Sequence, residues 1–154
     1  MAAREAGGAR RLDLKVGFSC NNRCVFCVQG ERRSRERDRN TPELKELLAS
    51  ARPDCDAVVL TGGEASIRPD VVELVAEARR LGYVRVQLQT NGRMLSHGPF
   101  VQRLLEAGLS EVSPSVHGPG PELHDRLTRA PGAFAQALRG IVNCRALGLP
   151  ILLN

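Results

Sequence analysis

The chain has 154 residues, 42% hydrophobic and 25% charged, which fits one ordinary globular domain with a real core. Net charge is +5 and aromatics are only 3%, so no stacking platform for single-stranded bases is expected and nucleic acid is disfavoured as a partner. No apolar run is long enough to cross a bilayer, and residues 1–11 lack the apolar stretch of a signal peptide; a cytoplasmic location is expected, where five cysteines point to metal or core roles rather than disulfides.

Residues 1–11 read as a flexible N-terminal tail and 12–154 as one domain. Leu12 to Ser19 alternates apolar and polar residues and reads as the first strand. It runs into Cys20-Asn-Asn-Arg-Cys24-Val-Phe-Cys27. The run Gly30-Glu-Arg-Arg-Ser-Arg-Glu-Arg-Asp-Arg39 concentrates five arginines against three acids. Its interleaved acids favour a solvated loop over a docking patch for nucleic acid or an acidic substrate. Thr41-Pro42-Glu43 carries the marks of a helix start, with a capping hydroxyl, an early proline and an acid near the positive end of the dipole. That helix is expected to reach Ala51.

Ala57 to Leu60 is a short apolar second strand. A helix then opens at Pro69-Asp70, with Val71, Val72, Leu74, Val75, Ala78 and Leu81 at helical spacing. Tyr83 to Gln89 is the third strand, and Pro99 to Ala107 the next helix. Leu109 to Val116 is the fourth strand, with Pro114 inside it, a residue lacking the donor that a central strand needs. A last helix over Ala133 to Leu147 precedes a fifth strand from Leu149. Gly82, Gly108 and Gly148 each follow a helix and precede a strand, the left-handed closing position that glycine takes without a Cβ penalty. Strand–helix alternation with short linkers means parallel strands with helical crossovers, either a β/α barrel or an open doubly wound sheet.

In such folds the C-terminal strand ends share one face, and sites form there. Four clusters should therefore converge: the cysteine loop, Thr61-Gly62-Gly63-Glu64, Thr90-Asn91-Gly92 and Ser115-Val116-His117-Gly118. The spacing C-x3-C-x2-C supplies three thiolates where a cubane cluster normally takes four. One iron would be left open to another ligand. The glycines would allow close backbone approach to a ligand. Glu64 could accept from an ammonium group, and the hydroxyls of Thr90 and Ser115 could donate to a carboxylate or ribose. Zinc with a histidine as fourth ligand is the competing reading of the triad. Cys55 and Cys144 read as core residues. Asp125 and Arg129, four apart, read as a helical ion pair.

The triad, the Gly-Gly-Glu strand end, Thr90-Asn91-Gly92 and Ser115, in that order, resemble the radical S-adenosylmethionine superfamily over about Leu14 to Asn154. Phe26 before Cys27 matches the same habit. His124-Asp125, Arg129 and Gly132-Ala133-Phe134 resemble a segment of its maturase-like branch. Two positions depart: Ala65 stands where proline is common, and His117 where maturase-like relatives often carry aspartate. The resemblance implies an α/β fold, a full or partial (β/α) barrel of the radical SAM type, here apparently truncated after strand five. It implies a [4Fe–4S] cluster on Cys20, Cys24 and Cys27, whose open iron binds S-adenosylmethionine. Reductive cleavage then gives a 5′-deoxyadenosyl radical that abstracts hydrogen from a substrate, the cofactor carrying the hard chemistry. By the same resemblance Gly62, Gly63 and Glu64 contact the methionine amino end, Thr90 and Ser115 its carboxylate or ribose, and backbone beside Phe26 the adenine. The implied partners are an electron donor such as flavodoxin or ferredoxin and, through the maturase-like segment, a peptide substrate. The alternatives are a non-catalytic metal- or iron–sulfur-binding module and a truncated inactive remnant. The chain ends on an apolar strand with no covering helix, so the N-terminal part of a longer enzyme is expected.

Overall fold

Four short strands set the frame of the computed structural model, which describes residues 10–154. They are β1 (Arg11–Lys15), β2 (Ala57–Thr61), β3 (Arg85–Thr90) and β4 (Glu111–Pro114), all parallel, in the order β1-β2-β3-β4. The expected tail lies largely outside the described residues. Arg10 and Arg11, however, belong to the domain: Arg11 opens β1, and the Arg10 carbonyl accepts from the Asp56 and Ala57 amides.

The strand order decides between the two architectures left open by periodicity. A doubly wound sheet reverses its order at a switch point, whereas here each strand lies beside its predecessor without reversal, as in a barrel. Residues 149–154 continue the sequence beside β4. Leu152 N donates to Val112 O at 2.9 Å and Asn154 N to Pro114 O at 3.0 Å, around a single parallel bridge, Val112 to Ile151.

The crossovers are α2 (Thr41–Ala51), α3 (Val71–Arg80), α4 (Gly98–Glu106) and α6 (Ala133–Ala146), with a one-turn α1 (Arg32–Arg35) and α5 (Pro121–Thr128) in the connections. Alternation along the strands splits the sheet into two faces. Leu14, Leu60, Leu88 and Val112 lie in one row across it and are buried under the helices with Leu44, Leu74 and Leu104. Each such leucine contributes about 1.5–3 kcal/mol by burial. The next row, Lys15, Thr61, Gln89 and Ser113, is polar and faces the barrel interior. Gly82, Gly108 and Gly148 close their helices at φ 91°, 100° and 70°.

Several local expectations are corrected. Thr41 is not the cap of α2: Asn40 is, with its side chain accepting from Glu43 N at 2.9 Å while the Glu43 carboxylate accepts from Asn40 N at 2.8 Å. The Thr41 hydroxyl donates to Asp70 instead, at 2.6 Å. The first strand stops at Lys15, not Ser19, because the chain turns outward into the cysteine loop. Pro114 does not interrupt the fourth strand but ends it, and its carbonyl still accepts from Asn154. Cys144 is a core residue, while Cys55 is only partly buried against the core. Asp125 and Arg129 form no ion pair among the described residues. The Asp125 carboxylate accepts from Gly132 N at 2.6 Å and Phe134 N at 2.8 Å at the start of α6, and Arg129 closes α5 in the left-handed region at φ 50°.

Candidate metal and cofactor site

The parallel sheet delivers all its strand ends to one face, and a cavity of about 260 Å³ opens there. Its wall includes Cys20, Cys24 and Cys27, with Phe26, Gly62, Gly63, Glu64, Thr90 and Ser115. Every site residue expected from the sequence is thus brought to one place. All three thiols are free and half-buried.

The cysteine loop follows β1 and is tied on several sides. Arg23 N and Val25 N donate to the carbonyls of Thr128 and Leu127, both at 2.9 Å, so the end of α5 supports the loop as a neighbouring strand would. Cys27 N donates to Cys24 O at 3.2 Å, forming a turn between these two cysteines. The Asp38 carboxylate accepts from Phe18 N at 2.6 Å and Ser19 N at 3.0 Å, fixing the approach to Cys20. Burial pushes that carboxyl up, but the Ser19 and Phe18 hydrogen bonds and the Arg68 charge outweigh it and hold its pKa below the usual value. Residues 25–28 turn apolar side chains outward: Phe26 is half exposed and Val28 is 94% exposed.

Gly62 and Gly63 make a close approach, but to the chain itself. A Cβ on Gly63 would stand 2.3 Å from the Ser19 carbonyl and 2.4 Å from that of Phe18. Gly63 N and Glu64 N donate to Gly17 O and Ser19 O at 2.9 and 2.8 Å. The strand end after β2 therefore lies flat on the entry to the cysteine loop, which only glycine permits.

Glu64 is 3% exposed. Its Oε1 accepts from Ser66 N at 3.0 Å, Ser66 Oγ at 2.6 Å and Thr90 Oγ1 at 2.6 Å, and its Oε2 from Asn91 N at 2.6 Å. The carboxylate thus joins the ends of β2 and β3. Oε2, with a single protein donor, keeps acceptor capacity on the cavity side. The Thr90 hydroxyl gives its proton to Glu64 and accepts from Gly92 N at 3.1 Å. Ser115 N donates to Thr90 O at 2.9 Å, placing that serine beside β3 at the rim.

His117 stands between Phe26, edge-on at 4.8 Å, and His124, stacked at 5.6 Å. Its backbone N–H donates to His124 Nδ1 at 3.1 Å. His124 is buried, so the maturase-like segment supplies packing under the site rather than its wall. Asn22 of the cysteine loop and Asn91 of the Thr90-Asn91-Gly92 cluster also line the cavity, as do Gln29 and Arg33, and Arg93 reaches its loop; sequence spacing singled out none of the last three for the site. Arg33 and Arg93 meet the cysteine loop only through the fold.

The donor set suits iron. Burial raises the Cys20 thiol, opposed by the Asn22 N–H, and burial with the neighbouring thiols raises Cys24. Metal binding must therefore release protons from thiols rather than capture ready thiolates. Among the described residues, the wall of the cavity carries three thiols and no fourth cysteine, the donor number that leaves one iron of a cubane without a protein thiolate.

Comparison with known proteins agrees. The profile of the Radical SAM superfamily matches residues 14–154. The AdoMet-dependent heme synthase of Oleidesulfovibrio alaskensis is 33% identical over 148 residues, covering 94% of this chain and 37% of that protein. A probable GTP 3′,8-cyclase of Saccharolobus islandicus is 33% identical over 150 residues, covering 92% and 46%. Streptococcus suis SuiB bound to precursor peptide SuiA superposes with TM-score 0.77 at 18% identity, over 95% of this chain and 32% of that one. The anSMEcpe enzyme with bound AdoMet and Cp18Cys peptide gives 0.73 at 18%, over 95% and 42%. The chain therefore spans less than half the length of these relatives. The family uses a [4Fe–4S] cluster and S-adenosylmethionine, and its members are enzymes. A thiol triad at the head of a sequentially wound parallel sheet, matched by profile from Leu14 to Asn154, shows that this chain belongs to the radical SAM superfamily.

Proposed function

We propose that the cavity holds a [4Fe–4S] cluster on Cys20, Cys24 and Cys27 with S-adenosylmethionine beside it, and that the chain is the cofactor-cleaving part of a radical enzyme. The observation that carries this is the convergence of the three thiols with the ends of β2, β3 and β4 in one cavity. When bound, the pair supplies one-electron cleavage of a carbon–sulfur bond and a 5′-deoxyadenosyl radical for hydrogen abstraction. The chain's own contribution is placement. Glu64 Oε2 accepts from the amino group of the methionine moiety. Ser115 meets its carboxylate or the ribose, and the backbone beside Phe26 meets the adenine. The backbone after Gly62 and Gly63 forms the adjoining wall. Thr90 acts through Glu64, since its hydroxyl proton is already engaged there.

Anaerobic reconstitution followed by dithionite reduction tests the reading. The loaded protein should form 5′-deoxyadenosine, and Cys24→Ala should reduce this to background. Full activity in that variant, or a colourless protein without iron, would overturn the assignment. As electron donor we propose a flavodoxin or ferredoxin. For the substrate we propose a peptide, supported by fold neighbours solved with peptides bound. The histidine–aspartate segment that first suggested a peptide lends no support, since His124 and Asp125 serve packing and capping.

A further inference from the structure

Two arginines outside the proposed chemistry close on the same turn of the cysteine loop. Arg33 comes from α1, within the run expected to be solvated. Its Nη2 donates to Cys20 O at 2.9 Å and its Nη1 to Asn22 O at 2.8 Å. Arg93 follows the Thr90-Asn91-Gly92 turn. Its Nη1 donates to Asn21 O and, at 3.0 Å, to Asn22 Oδ1, while its Nε is held by Gln136 Oε1 of α6 at 2.6 Å. Three consecutive carbonyls, those of Cys20, Asn21 and Asn22, thus accept from guanidinium groups. Asn22 is 2% exposed beneath them. Among the described residues neither arginine pairs with a carboxylate, although most neighbouring charges in the run do. Arg33 also lines the cavity.

Neutral donors would be enough to hold carbonyls. Guanidinium groups bring the rigid fork that matches two acceptors at once, and a charge that does not titrate away. An uncompensated cation beside an iron–sulfur centre favours the state with one more electron, because net charge and hydrogen bonding set such potentials. We propose that Arg33 and Arg93 are positioning residues for the thiol centre. Together they hold the Cys20–Asn22 turn in its metal-ready shape, and Arg33 supplies fixed positive charge that makes the loaded centre easier to reduce. The second half rests on the function proposed above; the first does not.

Three variants separate the parts: Arg33→Lys, Arg33→Gln and Arg93→Gln. The first readout is amide hydrogen exchange in the metal-free protein. The Arg23 and Val25 amides, bonded to the end of α5, should exchange about tenfold faster or more in all three variants, with β2 and β3 amides unchanged. Unchanged exchange at the loop overturns the positioning role. A rise of equal size in the strands also overturns it, since that is general destabilisation. The second readout is the midpoint potential of the reconstituted protein. It should fall in Arg33→Gln and stay near the parent value in Arg33→Lys, which keeps the charge and loses the fork. Equal potentials in these two variants overturn the charge role. A protein that takes up no iron would defeat the proposed function, while the exchange experiment would still decide whether the turn is clamped.

Discussion

Glu64 carries more of the site than its place in a short motif suggests. Four donors from two strand ends meet on one buried carboxylate. Hydrogen bonds to charged acceptors are the stronger kind, and a donor left facing another donor is costly. Glu64→Gln would turn an amide NH2 toward groups that need an acceptor. Unfolding of the metal-free variant in urea should show a loss of about 2–3 kcal/mol. A loss near zero would mean that the strand ends are held by other contacts. The motif itself was legible because two glycines and an acid followed an apolar run. That the glycines face Phe18 and Ser19, rather than only a ligand, was not legible, since it depends on how β1 exits the sheet.

Among the elements, α5 and the one-turn α1 were missed, α1 because its run reads as a solvated loop. The larger of the two is α5. Its sequence, Pro-Glu-Leu-His-Asp-Arg-Leu-Thr, offers only Leu123 and Leu127 as aliphatic anchors, too few to show a period in eight residues. Its tertiary bonds explain its presence: Leu127 and Thr128 carbonyls hold the cysteine loop, and Asp125 caps α6. Removing such a cap costs about 1 kcal/mol. Asp125→Ala should therefore lower the melting temperature by about 2–4 °C in a domain of this size. Because α6 also carries Gln136, the partner of Arg93, thermal melting and loop exchange should change together. The longer helices were legible with nearly correct bounds: α2, α3 and α4 bury leucine or valine stripes, and α3, α4 and α6 are closed by a glycine, whereas α6 buries Ala133, Ala137, Gly140 and Cys144 and leaves Leu138 and Val142 exposed. Arg33 and Arg93 were not legible, since arginines in polar stretches look alike whether they meet water or a carbonyl.

At the scale of the molecule, sequential winding places an apolar face under the helices and a polar face toward the barrel interior, with the thiols at one end. Alternation gave the two faces, and the strand order chose the barrel. Of the interior row Lys15, Thr61, Gln89 and Ser113, Thr61 and Gln89 line the cavity, and Thr61 Oγ1 donates to Gln89 Oε1 at 3.0 Å.

Val28, lying almost wholly in water one residue beyond Cys27, has a practical consequence. The chain contains no tryptophan and a single tyrosine. A Val28→Trp protein would own one indole, beside the third thiol, in a position where a larger ring disturbs no packing. Its fluorescence should begin red-shifted and bright, then dim in proportion to iron uptake as the visible absorption of the centre grows. Emission that stays constant through loading would put the iron elsewhere.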